Sequence, residues 1–167
     1  MNRPIHSMFV LVALTLTSAP AMGADSTVEQ NKALVRQFYD EVFNTGNVEH
    51  LDKYIAADAI DHEVAPGKPD PQPCQASVKE FLSVFRKAFP DLKVKVEDII
   101  AEGDKVVARC TMTGTHKGEF MGMPATGKAF SIQFIDVIRL KGGKCVEHWG
   151  SSDNAGIMQQ LGNPGAK

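Results

Sequence analysis

Apolar and polar positions recur along this chain with two different periods, and the change falls just past its middle. From Ser26 to about Asn44, the residues Leu34, Val35, Phe38 and Val42 repeat at the spacing of a helix buried on one face, and "NTG" at 44–46 stops it. "STVE" at 26–29 reads as a capping box, in which Ser26 and Glu29 satisfy the free amides of the helix start. A second, short helix carries Leu51, Tyr54 and Ile55, and "AADAIDHEV" follows as a brief extended segment. Residues 65–76, "APGKPDPQPCQA", hold four prolines and are predicted to be irregular. Ser77 and Glu80 in "SVKE" then open a third helix, with Val78, Phe81, Leu82, Phe85 and Phe89 on one face and Pro90 closing it.

From Leu92 the period is two. Leu92, Val94 and Val96 alternate with charged residues, and "EGD" at 102–104 turns into a second strand, "KVVARCTMTGTH". "GKAFSIQFIDVIRL" is the third strand, and "KGG" at 141–143 turns into the fourth, "KCVEHWGSSDNAG". Three helices followed by four antiparallel strands predict an α+β domain with helices over one sheet face. The connection 114–128, "GTHKGEFMGMPATGK", has an apolar tip of Phe120, Met121, Met123 and Pro124. Two readings stay open for it: a long hairpin packed on its own domain or a second subunit, and a flap over a pocket mouth.

Length and charge narrow the function. The 167 residues suit one domain with a real core, and a net charge of -2 gives no basic surface for nucleic acid or anionic membrane. Arg3 and His6 precede "MFVLVALTLTSA" and the small residues of "PAMGADS", the layout of a secretory signal peptide cleaved after Ala21 or Gly23. The expected boundaries are a signal peptide over 1–23, one domain over 26–162 and a tail over 163–167, with the mature protein exported to a periplasmic or extracellular space. Export permits disulfides, and three cysteines leave at least one thiol over within a single chain. Cys110 and Cys145 fall on strands with one strand between them, roughly 9–10 Å apart, too far to bridge. Cys74, in the proline-rich stretch, is the expected exposed thiol.

The order "NKALVRQFYDEVFNTGN", "IDHE", "VKEFLSVFRKAFPDLKVKVEDIIAEGDKVVARCTMTGTHKGEFMGMPATGK" and "VEHWGSSDNAGIMQQLG" resembles the SnoaL-like polyketide cyclases, or ester cyclases, of the nuclear transport factor 2-like superfamily. The resemblance runs from about Asn31 to Gly162. It implies a cone, in which a strongly curved antiparallel sheet wraps three N-terminal helices around an apolar pocket. It also implies intramolecular aldol ring closure without a cofactor. The expected function is cofactor-free acid–base chemistry of this kind, or isomerisation, on a small apolar carbonyl compound, in a homodimer formed through the outer sheet face.

Such chemistry needs a base beside an activated carbon and an acid for the forming alkoxide, and one carboxylate raised by burial can serve both. Uninterrupted alternation in the last strand puts Cys145, Glu147, Trp149, Ser151 and Asp153 on one face and turns His148 away. Asp153 then works against a Trp149 wall. Its "D-x-x-G" context before "QLG" resembles the family's acid–base residue, while a competing role is to cap the helix "AGIMQQL". Asp136 lies on the apolar face of "FSIQFIDVIRL", and a carboxylate there is paired, protonated or functional, with Arg109 or Arg139 as partners. His62 in "IDHE" matches a pocket histidine of the family. Phe120 is expected as a second wall, with Arg109 and His116 as further substrate contacts, although His116 can equally bind its own loop.

No metal is expected, because His62, His116, His148, Asp61 and Glu63 lack a ligand spacing such as H-x-x-x-H. No glycine-rich cradle precedes a helix, and Ser151 and Ser152 near His148 do not form a nucleophile elbow. Two other functions remain beside the cyclase: a non-catalytic binder of a small apolar molecule outside the cytoplasm, and a lyase or hydrolase on the same scaffold.

Overall fold

The computed structural model describes residues 22–63 and 70–162, and of 22–26 the backbone alone. The expected signal peptide, apart from the backbone of its last two residues, and the tail lie outside the described residues. Helix α1, Met22–Phe38, begins ahead of the Ser26 cap that the sequence suggests, so Ser26 lies inside the helix. The helix runs on into a π-helical turn, Tyr39–Phe43, whose extra residue buries both Tyr39 and Val42. A one-turn helix α2, Leu51–Tyr54, leads straight into β1, Ile55–Asp61. After a short β2, Gln72–Pro73, helix α3 spans Cys74–Ala88.

Two expectations need correction here. Residues 72–76 are regular structure, and α3 starts at Cys74 rather than after Ser77. Cys74 is consequently buried, at 3% exposure, and not the exposed thiol.

Four long strands follow: β3, Lys93–Glu102; β4, Lys105–Thr115; β5, Ala129–Lys141; and β6, Lys144–Ser152. They form the predicted antiparallel meander, but the sheet does not stop there. Its order is β2-β1-β6-β5-β4-β3, with β1 parallel to β6 and antiparallel to β2. Residues 56–61 of the expected extended stretch "AADAIDHEV" therefore lie in a sheet strand beside β6. Helix α4, Asn154–Leu161, closes the chain by burying Ile157 and Leu161.

Strict alternation in β5 turns Phe130, Ile132, Phe134, Asp136, Ile138 and Leu140 inward, onto the core built with Val35, Tyr39, Leu82 and Phe89. In β6 the alternation breaks. Arg139 pairs with Glu147 while Leu140 pairs with Cys145, so Val146 is the extra residue of a bulge. The bulge lets both Cys145 and His148 face inward and sends Trp149 to the outer face, the reverse of the simple alternation.

The 116–128 connection packs on its own domain. Phe120 is buried, with its ring 5.1 Å from Phe85 and 5.0 Å from Phe89. Gly118 permits this seating, because a Cβ there would stand 2.3 Å from the Lys87 carbonyl oxygen. Among the described residues no helix is long and apolar enough to cross a membrane.

Candidate active site

Asp136 is a carboxylate on an otherwise apolar strand face, 8% exposed, and its neighbours explain how it is tolerated. The π-helical turn after α1 aims Tyr39 at it, and the Tyr39 hydroxyl donates to Asp136 Oδ2. The β6 bulge aims His148 at its other oxygen, with Nε2 3.4 Å from Asp136 Oδ1. His148 Nδ1 donates to Asp61 Oδ1 at 2.8 Å, and Asp61, at the end of β1, also accepts from the Glu63 backbone N–H at 2.9 Å. Glu63 turns its side chain inward as well, where Oε1 accepts from the Ser152 hydroxyl at 3.1 Å. The result is an imidazole held between two aspartates, with a third carboxyl alongside.

The electrostatics follow from this arrangement. Burial opposes charge on His148, but hydrogen bonds to Asp136 and Asp61, together with their charges, outweigh it and hold the imidazole pKa well above its ordinary value. Burial would raise Asp61, yet the His148 hydrogen bond and charge bring its pKa below the usual carboxylate value. Glu63 goes the other way, pushed up by burial and then by the negative charge of Asp136. Tyr39 is raised well above its ordinary value by burial and by Asp136, so it stays a neutral donor. The same burial and the same aspartate push the Cys110 thiol up to about 12. Glu63, its proton held more tightly than an ordinary carboxyl's, faces Asp136 across a short gap, and two carboxyls so placed can divide acid and base roles in one site.

Gly150 is what lets them meet. It lies opposite Asp136 in the β5–β6 ladder, and a Cβ there would be 2.5 Å from Glu63 Oε2 and 3.2 Å from Asp136 Oδ1. Glu63, Asp136 and His148 each offer one ligand atom, all within 4.8 Å of one another, so a cation could be held there in principle. Three separate elements supply them, which is why no sequence spacing announces the cluster. The raised imidazole already puts positive charge at that position and would have to lose its proton to a metal.

The other sequence-predicted residues lie elsewhere. Asp153 is exposed and caps α4, accepting from the Gly156 N–H at 2.8 Å. His62 and Trp149 do meet, their rings stacked 5.2 Å apart, but on the outer side of the sheet, where His62 bonds Glu147 and Asp70 at 3.0 Å each. The Glu147 bond, with that of Asp70, raises the His62 pKa against the opposing effect of burial. Arg109 pairs with Asp98, and Arg139 with Glu147, so neither arginine partners Asp136. His116 is fully buried at the end of β4, where Nδ1 bonds Thr126 and the ring packs against Phe89 and Phe120. A surface hollow of about 520 Å³ opens between α1 and the turns at 103–104 and 142–143, and Asp136 does not line it.

Tyr39, Asp61, Glu63 and His148 are the members that the sequence pattern does not single out. The signal for Asp61 and Glu63 was the acidic pair flanking His62. For Tyr39 it was a lone hydroxyl within an apolar helix face.

The sequence profile of the SnoaL-like polyketide cyclases matches residues 33–161. The chain belongs to this family. Among relatives of the SnoaL-like protein, the aklanonic acid methyl ester cyclase DauD of Streptomyces sp. strain C5 is 33% identical over 138 residues, covering 78% of this chain and 81% of DauD. The corresponding cyclase DnrD of Streptomyces peucetius is 30% identical over 134 residues, covering 78% and 90%. Among solved structures, IdmH of Streptomyces antibioticus, described as a candidate polyketide cyclase, superposes with a TM-score of 0.70 at 36% identity, over 80% of this chain and 99% of IdmH. AclR of Streptomyces galilaeus, described as a candidate hydroxylase, gives 0.71 at 30% identity over 83% and 84%. The curved six-stranded sheet with its helices is thus the nuclear transport factor 2-like cone expected of a SnoaL-like protein.

Proposed function

We propose that this SnoaL-like protein closes a ring within a small carbonyl compound by an intramolecular aldol step, using Asp136 as base and Glu63 as acid. The observation that carries the reading is the buried Asp136, held by Tyr39 and His148, with the carboxyl of Glu63 beside it. Asp136 takes a proton from a carbon next to a carbonyl, and the His148 imidazolium and Tyr39 hydroxyl steady the negative charge that passes to the enolate. The enolate carbon attacks the second carbonyl of the same molecule. Glu63, whose proton is held by burial and by the charge of Asp136, gives it to the forming alkoxide. Protons balance: one leaves carbon for Asp136, one leaves Glu63 for oxygen, and the proton on Asp136 then returns to Glu63 beside it, restoring both groups. These side chains supply both roles, which supports a reaction without a cofactor.

The relatives' names suggest the substrate class, a methyl ester such as those of aklanonic and nogalonic acid. Export belongs to the same reading and rests on residues 1–23 of the sequence. So does a homodimer through the outer sheet face, where Ile100 and Ile135 are exposed. The test is incubation of the purified protein with each ester. Ring closure leaves the mass unchanged and shifts the absorbance and retention of the product; no conversion of either ester contradicts the reading.

A further inference from the structure

Three side chains beside Gly150 are each held through one atom while another points into a common space. The Tyr39 hydroxyl donates to Asp136 Oδ2, and Asp136 Oδ1 faces the Gly150 position. The Ser152 hydroxyl donates to Glu63 Oε1, and Glu63 Oε2 faces the same position. His148 Nδ1 donates to Asp61 Oδ1, and its Nε2 turns to Asp136 Oδ1 at 3.4 Å. A Cβ on residue 150 would fill that space, 2.5 Å from Glu63 Oε2 and 3.2 Å from Asp136 Oδ1, and glycine keeps it open. An imidazole whose far nitrogen is fixed by a carboxylate is the usual setting of a metal-binding histidine. The 3.4 Å between Nε2 and Oδ1 is also close to the edge, roughly 3.3 Å, of a tetrahedron of zinc–ligand bonds. The ligand atoms of all three residues lie within 4.8 Å of one another, and Glu63, just past the end of β1, can close the set by rotating its side chain.

We propose that Glu63 Oε2, Asp136 Oδ1 and His148 Nε2 form a binding site for one zinc ion, with water in the fourth position. One imidazole and two carboxylates suit a first-row divalent cation better than magnesium or calcium, which take oxygen ligands. Tyr39, Ser152 and Asp61 hold the three ligands in place from behind. Binding is an exchange: zinc brings two positive charges, and two protons leave, one from the His148 imidazolium and one from the Glu63 carboxyl. The net charge of the site is unchanged. One consequence rests on the ring-closure reading above: the zinc-loaded protein is inactive, because Glu63 has no proton to give and Asp136 is tied to the metal.

The experiment is titration of the untagged full chain, stripped of metal, with zinc chloride against a chromophoric zinc chelator and without substrate. The expected result is one zinc per chain, with Glu63→Gln and Gly150→Ala each weakening binding by about tenfold or more. His62→Gln, which alters the outer His62–Asp70–Glu147 group, should bind as the wild type does. Cobalt chloride in place of zinc should give the strong visible absorption of a four-coordinate site, without the near-ultraviolet band of a thiolate ligand. Failure to bind one zinc per chain, equal binding by Glu63→Gln, or a thiolate band overturns the proposal. Stoichiometry and the cobalt spectrum are read on the wild type, so they decide the matter even where a variant fails to fold. Binding is also independent of ring closure: zinc held by these residues with turnover undiminished would keep the site and contradict the acid–base assignment instead.

Discussion

Tyr39 reaches Asp136 across the core, joining the end of the first helix to the middle of β5 by a hydrogen bond between residues 97 apart in sequence. The contact depends on the π-helical turn, which rotates the tyrosine to the sheet side. Tyr39→Phe keeps the ring packed against Phe38, Phe43 and Phe134 but leaves a buried carboxylate oxygen without its donor. The expected cost is about 1–3 kcal/mol of stability, read from denaturant unfolding, together with a fall in turnover.

His148 makes stability depend on pH. Its folded pKa lies above the unfolded value of 6.5, so its contribution is fully present below that value and is lost as pH rises through the folded pKa. Asp61 has the opposite sign: its folded pKa lies below 3.8, so its contribution is present above 3.8 and is lost as pH falls through the folded value. Melting temperature against pH should therefore decline on both flanks. His148→Gln should abolish the His148 part of the alkaline decline and destabilise the fold by about 3–5 kcal/mol at neutral pH, since two buried aspartates then face each other without a cation.

Asp153→Ala separates capping from catalysis. The cap hydrogen bond to Gly156 should be lost at about 0.5–2 kcal/mol, measured by thermal unfolding, with turnover unchanged. Asp153→Asn should be silent in both, because asparagine caps as well as aspartate.

Gly150→Ala tests the space between the two carboxyls. The new methyl would displace Glu63 from beside Asp136, so turnover should fall, and a crystal structure of the variant should show Glu63 moved. Unchanged activity would mean that Glu63 takes no part.

How much of this the sequence carried can be read residue by residue. Period two placed Asp136 inward on an apolar face correctly, because β5 is a regular strand paired on both sides. The same rule misplaced His148 and Trp149, since one unpaired residue, Val146, inverts every face after it. Nothing in "KCVEHWG" marks the bulge. Asp61 and Glu63 were visible as residue types, but their inward aim depends on β1 adding to the sheet beside β6, a long-range pairing that local pattern does not reveal. Cys74 was misjudged for a related reason: prolines at 71 and 73 mark an edge strand and a helix start here rather than an open loop.

The most direct measurement is turnover of aklanonic acid methyl ester by Asp136→Asn beside the wild type, with melting temperature recorded on the same samples. General acid–base catalysis through Asp136 predicts a loss of about 10²–10⁴-fold in turnover, with the variant still folded at the assay temperature. A folded Asp136→Asn protein that closes the ring at the wild-type rate would contradict the central claim and reduce the Tyr39–Asp136–His148 cluster to a support of the core.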